Sequence, residues 1–288
     1  MTIQEATAVL DAVDTKRNFS VRGLGGGKLG DILLKVVAGL VLLYIFIPIF
    51  VIVLFSFNKP AGKFNYTWQG FTLDNWANPF KYPALANALK MSIEVAAVST
   101  AIALVLGTLL AIALVRQRFR GNKAVETFLV LPLTAPEVVM GASLLTLFLD
   151  LGWATGFGTI LIAHIMFCLS YVVVTVKARI AGLDPRLEQA AADLYANELQ
   201  TFRRITLPLV APGIAAGALL AFSLSFDDYI ITNFNASNAS ITFPMYVWGA
   251  AARGTPVQIN VIGTAMFVLA VLAVALGQMA GRRRTRVH

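Results

Sequence analysis

Long stretches without a charged residue constrain this sequence more than any other feature. The clearest is VVAGLVLLYIFIPIFVIVLF at residues 36–55. A helix needs about 20 predominantly apolar residues to cross a bilayer, so this run predicts a membrane-spanning helix. The whole chain is 58% hydrophobic and 13% charged, whereas soluble domains carry about a quarter charged residues. This balance excludes a disordered chain and disfavours an ordinary soluble enzyme.

Six segments are apolar enough to be predicted as membrane spans. They cover residues 32–57, 86–115, 124–149, 159–176, 209–232 and 260–280. We expect Pro48, Pro132 and Pro136 to kink or break their helices, because proline removes a backbone hydrogen bond. The predicted organisation is a flexible tail at 1–31, a six-span domain at 32–280 with an inner loop at 177–208, and a basic tail at 281–288. The first span is too long, and begins too late, for a removable signal peptide.

The basic residues predict the orientation of the spans. With the N-terminus inside, seventeen of the 23 Lys and Arg residues fall in inner segments. The five outer ones are Lys59, Lys63, Lys81, Lys90 and Arg253. Because short cytoplasmic loops are enriched in Lys and Arg, both termini are predicted to be cytoplasmic. The net charge of +8 is therefore explained by topology rather than by nucleic-acid binding.

No motif for chemical catalysis stands out. The glycines at 25, 27 and 30 follow no strand, and a membrane span follows them, so a dinucleotide site is not predicted. The phosphate-binding loop of ATPases is absent from the sequence. The two histidines, His164 and His288, are too few for the usual zinc enzymes. Cys168 is the single cysteine of the sequence, so it can form neither an intramolecular disulfide nor a cysteine-based metal cluster. We therefore predict neither a metal site nor a catalytic site in this chain.

The inner loop at 177–208 contains a candidate docking helix. Asp184 can cap a helix and Pro185 suits its first position. Leu187, Ala191 and Leu194 recur at helical spacing. The small side chains at 190–192 would let a partner surface approach closely. The alternative is a helix that lies on its own protein or on the lipid interface.

This loop resembles the EAA loop of permease subunits of ABC importers. The family pattern is Glu-Ala-Ala, three residues, Gly, nine residues and Ile-x-Leu-Pro; here it appears as Gln189-Ala190-Ala191, Tyr195, and Ile-Thr-Leu-Pro at 205–208. Gln189 replaces the usual Glu, and Glu188 is the candidate acid beside it. Tyr195 replaces the glycine that permits a tight turn.

The resemblance implies that residues 187–199 form a coupling helix seated in a cleft of an ATPase subunit. The implied contact residues are Leu187, Glu188, Gln189, Ala190, Ala191, Asp193, Leu194, Tyr195, Ala196 and Leu199. It also implies an all-α fold of the type I importer permeases, a second permease subunit that is a different chain, two ATPase subunits that bind ATP and Mg²⁺, and an extracytoplasmic binding protein. No cofactor is expected in this chain.

Further segments, among them residues 129–145, 162–180, 219–234 and 241–260, resemble the spermidine/putrescine permeases, and within them the second permease subunit type. The resemblance implies polyamine transport across a bacterial inner membrane. The alternatives are the same machine for a sugar, amino acid, phosphate or iron, or an ion-coupled secondary transporter, which would leave the docking loop unexplained. A membrane-embedded enzyme would need an acid–base or metal set that the sequence does not offer.

A few acidic residues fall within the predicted spans, where an ionisable group is costly and usually faces a pathway or a partner. Carboxylates are natural partners of ammonium groups, and aromatic faces attract cations. The predicted substrate path comprises Asp227, Asp228, Glu137, Tyr246 and Trp248. The alternative is that the acids cap broken helices or pair between subunits, and that the aromatic residues anchor the interface. His164 is predicted to form an interhelical hydrogen bond.

Overall fold

The structure, a computed structural model, describes residues 27–117 and 120–284 of the 288-residue chain. Most of the two predicted tails lies outside these residues, so their predicted flexibility and cytoplasmic placement stay predictions. The first helix begins at Gly27 rather than at residue 32. The last helix continues to Arg284.

The described secondary structure is helical, apart from one isolated bridge between Asn58 and Phe71. The helices in chain order are α1 (Gly27–Ser56), α2 (Asp74–Ala77), α3 (Pro83–Arg116), α4 (Asn122–Thr134), α5 (Glu137–Asp150), α6 (Phe157–Ala181), α7 (Arg186–Asp193), α8 (Glu198–Thr201), α9 (Leu207–Asp227), α10 (Ile230–Asn235), α11 (Phe243–Arg253) and α12 (Val257–Arg284). A π-helical turn at Phe202–Thr206 joins α8 to α9.

Within the described part of the chain, five helical segments are long and apolar enough to cross a membrane. They contain α1, α3, α6, the continuous segment Glu198–Asp227, and α12. The pair α4 and α5 makes a sixth span when it is counted as one. The predicted all-α, six-span architecture is confirmed.

Proline breaks the third span where the sequence predicted a break. The axes of α4 and α5 meet at 108°, with Ala135 extended and Pro136 directly before α5. The residue before a proline is pushed out of the helical region, which ends α4. By contrast, α1 continues through Pro48.

The chain divides into two compact units, residues 1–57 with 260–288, and residues 58–259. In the described part of the first unit, the side chains of α1 are mostly exposed, as expected for a helix that faces lipid. In the second unit, α3, α6 and α9 pack against one another. Gly107 of α3 permits this approach, because a Cβ there would lie 2.7 Å from Cγ1 of Val172. All the predicted site residues lie in the second unit.

Candidate functional site

The fifth span is interrupted at its acidic pair. Helix α9 ends at Asp227, and α10 begins at Ile230. The carboxylate of Asp228 accepts hydrogen bonds from the backbone N–H of Ile231 (3.3 Å) and of Thr232 (2.8 Å), and from the Thr232 hydroxyl (2.7 Å). Its charge lies at the positive N-terminus of α10, where carboxylates are stabilising. Asp228 is 8% exposed, so it is largely committed to capping this helix.

His164 connects this break to the neighbouring helices. Its Nδ1 lies 2.7 Å from Oγ of Ser225 on α9, and its Nε2 lies 2.9 Å from Oγ1 of Thr232 on α10. The Nε2 atom is also 3.4 Å from a carboxylate oxygen of Asp228. The Ser225 hydroxyl lies 3.0 Å from that of Ser99 on α3. The predicted interhelical hydrogen bonding of His164 is confirmed.

A cavity of about 740 Å³ opens beside the break. It is lined by Glu137 at the start of α5, by residues 226–230, and by Phe243 and Trp248 of α11, among others. The side chains of Glu137 and Asp227 are exposed, so two carboxylates are available to a ligand while Asp228 forms part of the wall. We name this space the acidic cavity.

Aromatic rings flank the acidic cavity. Tyr229 stacks on Trp248 with ring centroids 5.2 Å apart, and Phe226 lies 6.3 Å from Phe243 in a tilted arrangement. Trp248 is largely exposed. Carboxylates combined with aromatic faces form a surface that suits an alkylammonium ion, because the acid supplies charge and the ring supplies cation–π attraction.

The structure does not bring Tyr246 into this cavity. Successive residues of a helix are rotated by about 100°, so Tyr246 lies about 160° around α11 from Trp248, and it does not line the cavity. Tyr246 instead lines a second cavity with Arg253, seven residues further along. Its side chain therefore stands apart from the other four predicted path residues.

The predicted docking helix is two short helices separated by a turn. As predicted, Asp184 lies at the start, where its carboxylate accepts a hydrogen bond from the N–H of Arg186 (2.9 Å). Helix α7 ends at Asp193, and Asn197 caps α8 through the N–H of Gln200 (2.9 Å). Tyr195 takes a φ of +58° between them. The turn expected of the family glycine is therefore present with a tyrosine, in a conformation that costs an L-residue about 1–2 kcal/mol.

Large apolar side chains of this loop point outward. Tyr195 is 97% exposed, and Leu187, Leu194 and Leu199 are also well exposed. We call these four residues the docking face. Exposed apolar side chains on a loop mark contact surfaces when they cluster. That the loop contacts an ATPase stays a prediction.

Glu188 and Ala191 of α7 pack against the rest of the chain. Ala191 is 5% exposed. The Glu188 carboxylate accepts hydrogen bonds from the Arg116 guanidinium and from the Thr206 hydroxyl (2.7 Å). The same guanidinium donates to that hydroxyl (2.8 Å). We call these three residues the inner latch, because they tie α7 to the end of α3 and the start of α9.

Sequence reasoning identified neither the inner latch nor the Ser99–Ser225–His164 chain. Their members are far apart in sequence, and nothing local marks which helices are neighbours. Serine and threonine in apolar helices were the available signal, since such side chains often bond across helices. Within the described residues, no group of three or more His, Cys, Asp or Glu comes together to hold a metal ion.

The sequence of the chain is similar to those of known membrane transport proteins. A protein-family model described as "Binding-protein-dependent transport system inner membrane component" matches residues 103–286. The chain is 37% identical to the spermidine/putrescine transport system permease protein PotC of Haemophilus influenzae, over 83% of this chain and 93% of that protein. It is also 37% identical to the putrescine transport system permease protein PotI of Escherichia coli K12, over 77% and 80% of the two chains.

Solved structures agree with the fold. A chain of a bacterial ABC transporter involved in the import of the acidic polysaccharide alginate matches with a TM-score of 0.64 at 17% identity, covering 89% of this chain and 96% of that one. A chain of an amino acid ABC transporter matches with a TM-score of 0.55 at 15% identity, covering 75% and 100%. At such low identity the likeness concerns the fold alone.

Proposed function

This chain belongs to the family of inner membrane components of binding-protein-dependent transport systems, and from that premise we propose that it carries polyamines such as spermidine and putrescine inward. It is a permease subunit of an ATP-driven importer and performs no chemical catalysis itself. The names of the relatives at 37% identity support the choice of substrate class.

The acidic cavity carries this proposal. Polyamines are flexible chains of methylene groups with an ammonium at each end, so they need carboxylates for charge and apolar or aromatic walls for the chain. Glu137 and Asp227 provide the carboxylates, and Trp248 and Phe243 provide aromatic walls. An anionic solute would be repelled by the same acids, and a neutral sugar would leave them without a counter-charge.

The docking face supports a division of labour between subunits. In this proposal an ATPase subunit binds ATP and Mg²⁺ and holds the docking face, and a second ATPase serves the partner permease, which is a different chain. An extracytoplasmic binding protein delivers the polyamine to the outer side. Both termini of this chain are cytoplasmic, as the distribution of Lys and Arg indicates. Closure of the ATPases moves α7, and the bundle then opens outward.

The substrate assignment is tested by transport in proteoliposomes. The full importer is reconstituted with its binding protein, and uptake and ATPase stimulation are measured for spermidine, putrescine, a neutral sugar, an amino acid, phosphate and ferric iron. We expect stimulation by the two polyamines alone. Stimulation by another ligand, with the polyamines inert, would contradict the substrate assignment and leave the transporter class intact.

A second measurement separates the importer from a secondary transporter. Uptake is recorded with ATP inside the vesicles and the proton and sodium gradients dissipated. We expect uptake to continue, and to stop when the ATPase subunits are inactivated by mutation. Uptake that follows an ion gradient without ATP would refute the proposed energy source.

A further inference from the structure

A second cavity is also lined by α11, through residues that do not line the acidic cavity. It has a volume of about 450 Å³ and is lined by Lys63, Lys81, Tyr82, Tyr246, Arg253 and Gln258, among others. At ~30 Å³ for each liquid water molecule, it has room for about fifteen waters. A cavity of this volume is larger than a single small ion would fill. We call it the basic cavity.

Three cations and no carboxylate face this space. Lys63 comes from the loop after α1, Lys81 precedes α3, and Arg253 ends α11. None of the described residues that line the cavity is acidic. Its charge therefore excludes a polyammonium substrate and attracts an anion.

Backbone geometry brings the chain after Arg253 close to Lys63. Gly254 follows Arg253 with a φ of +131°. A Cβ at Gly254 would lie 3.0 Å from the Cβ of Lys63 and 3.1 Å from its carbonyl oxygen. Arg253 is fixed from its own helix, since its Nε donates to the carbonyl of Gly249 (3.2 Å). The glycine thus permits a close approach that any other residue would obstruct.

A helix N-terminus meets the same space. Helix α12 starts at Val257, and Val257 and Gln258 line the cavity together with residues 254–256. The first N–H groups of a helix have no acceptor within it and carry a partial positive charge. Anions, phosphate above all, bind at such ends.

Gln258 places a polar side chain in the wall of the cavity. The residue is 6% exposed and lines the cavity. Its amide N–H groups are donors that suit the acceptor oxygens of a ligand.

We propose that the basic cavity binds the phosphate of an anionic phospholipid headgroup from the outer leaflet. In the proposed orientation, the cavity lies at the outer ends of α3 and α12, at the level of lipid headgroups. Tyr82 and Tyr246 suit that level, where tyrosine rings span apolar and wet surroundings. Arg and Lys bind phosphate oxygens directly, and the volume accommodates a headgroup around the phosphate.

The test is lipid binding to the purified full-length chain in neutral detergent, followed by native mass spectrometry. Phosphatidylglycerol is titrated against phosphatidylcholine, and glycerol 3-phosphate and inorganic phosphate form separate arms. The test variant is Lys63→Gln with Arg253→Gln. Its matched control is Lys59→Gln with Lys90→Gln, two exposed lysines of the outer segments that do not line the cavity. A third variant, Gln258→Glu, keeps the shape of the side chain and adds a negative charge.

We expect one phosphatidylglycerol to be retained by the unaltered chain and by the control. At about 1 kcal/mol for each basic residue near a lipid surface, the loss of two should weaken binding roughly thirtyfold, at 1.4 kcal/mol for a factor of ten. Gln258→Glu should weaken it as well, which guards against misfolding of the double variant.

Three results would overturn the proposal. Equal losses in the test and control variants would mean diffuse charge attraction rather than a site. Saturation by inorganic phosphate or glycerol 3-phosphate, with no preference for phosphatidylglycerol, would assign the cavity to a soluble anion. Unaltered lipid binding in all variants, with impaired capture of the extracytoplasmic binding protein, would assign it to acidic side chains of that partner. None of these outcomes depends on which substrate is transported.

Discussion

Breaking the inner latch should uncouple ATP hydrolysis from transport without preventing assembly. The latch joins three elements, since Glu188 belongs to α7, Arg116 ends α3, and Thr206 lies directly before α9. A displacement of α7 is therefore passed to two spans at once. The decisive perturbation is charge reversal, with Glu188→Arg and Arg116→Glu made singly and together.

The free energy that the inner latch contributes can be judged from how exposed its side chains are. The Arg116 and Glu188 side chains are 33% and 39% exposed, so their pair resembles surface ion pairs, which contribute about 0–1 kcal/mol. Thr206 is 1% exposed, and hydrogen bonds to charged groups contribute about 1.5–3 kcal/mol when they are shielded from water. Partial solvent exposure brings the total to about 1–2 kcal/mol. This corresponds to roughly a 5- to 30-fold change in the ratio of molecules in which α7 is held to the spans to those in which it is released.

The assay compares ATPase activity with and without the loaded binding protein in proteoliposomes, together with uptake. Each single reversal places like charges together and should lower uptake per ATP hydrolysed by about that factor. The double variant restores an opposite pair and should recover most of the coupling. Asp150→Arg, which makes the same charge change at the exposed end of α5 and outside the docking loop, serves as the control and should remain coupled.

Two outcomes would refute this reasoning. If the double variant is no better than the worse single variant, the effect does not pass through the pair. If Glu188→Arg transports normally, the latch is not needed for transmission. Failure of the ATPase to co-purify with Glu188→Arg would instead indicate that Glu188 touches the partner directly, as the sequence led us to expect.

The remaining predictions concern the acidic cavity and the loop turn. Asp227→Asn should raise the KM for spermidine uptake while leaving the Tm unchanged, because its exposed carboxylate faces the cavity; an unchanged KM would remove it from the path. Asp228→Ala should lower thermal stability by about 1–2 kcal/mol through loss of the helix cap, and a Tm equal to that of the unaltered chain would show that the cap is dispensable. Tyr195→Gly should stabilise the loop by about 1 kcal/mol through relief of the left-handed strain, seen as slower hydrogen exchange at 193–197. Faster exchange there would contradict the strain argument.

Local patterns in the sequence predicted those features that depend on nearby residues. Hydrophobic runs located five of the spans to within about five residues, since a helix that faces lipid satisfies its own backbone. The fifth span was predicted at 209–232, but its helical segment runs from Glu198 to Asp227 and is interrupted there. Pro136 located the break in the third span, and Asp184 located the start of the docking loop. In each case the cause lies within one or two helical turns of the effect.

Features that depend on neighbouring helices were beyond the same reasoning. The sequence grouped Tyr246 with Trp248, but the rotation of α11 directs them to different cavities. It marked Glu188 as a partner contact, which stays a prediction, but it did not identify the pairing of Glu188 with Arg116, 72 residues earlier. For Asp228 it left open both a place in the substrate path and the capping of a broken helix. In the structure Asp228 caps α10 and also lines the acidic cavity. A side chain's orientation is decided by what packs beside its helix, and one sequence does not specify that.

Helix α9 gives the two candidate sites a physical connection. It begins beside Thr206 of the inner latch and ends at Asp227 of the acidic cavity. Its 21 residues span about 32 Å at 1.5 Å per residue, which is close to the thickness of the hydrocarbon core. Because the backbone hydrogen bonds of a helix resist stretching, a displacement of the latch reaches Asp227 as a rigid shift or tilt, modified only by bending at Pro212. The break after Asp227 then lets this carboxylate move while Asp228 stays with α10. Motion at the docking face would therefore alter the distance between Asp227 and Glu137, and with it the affinity of the cavity for a cation.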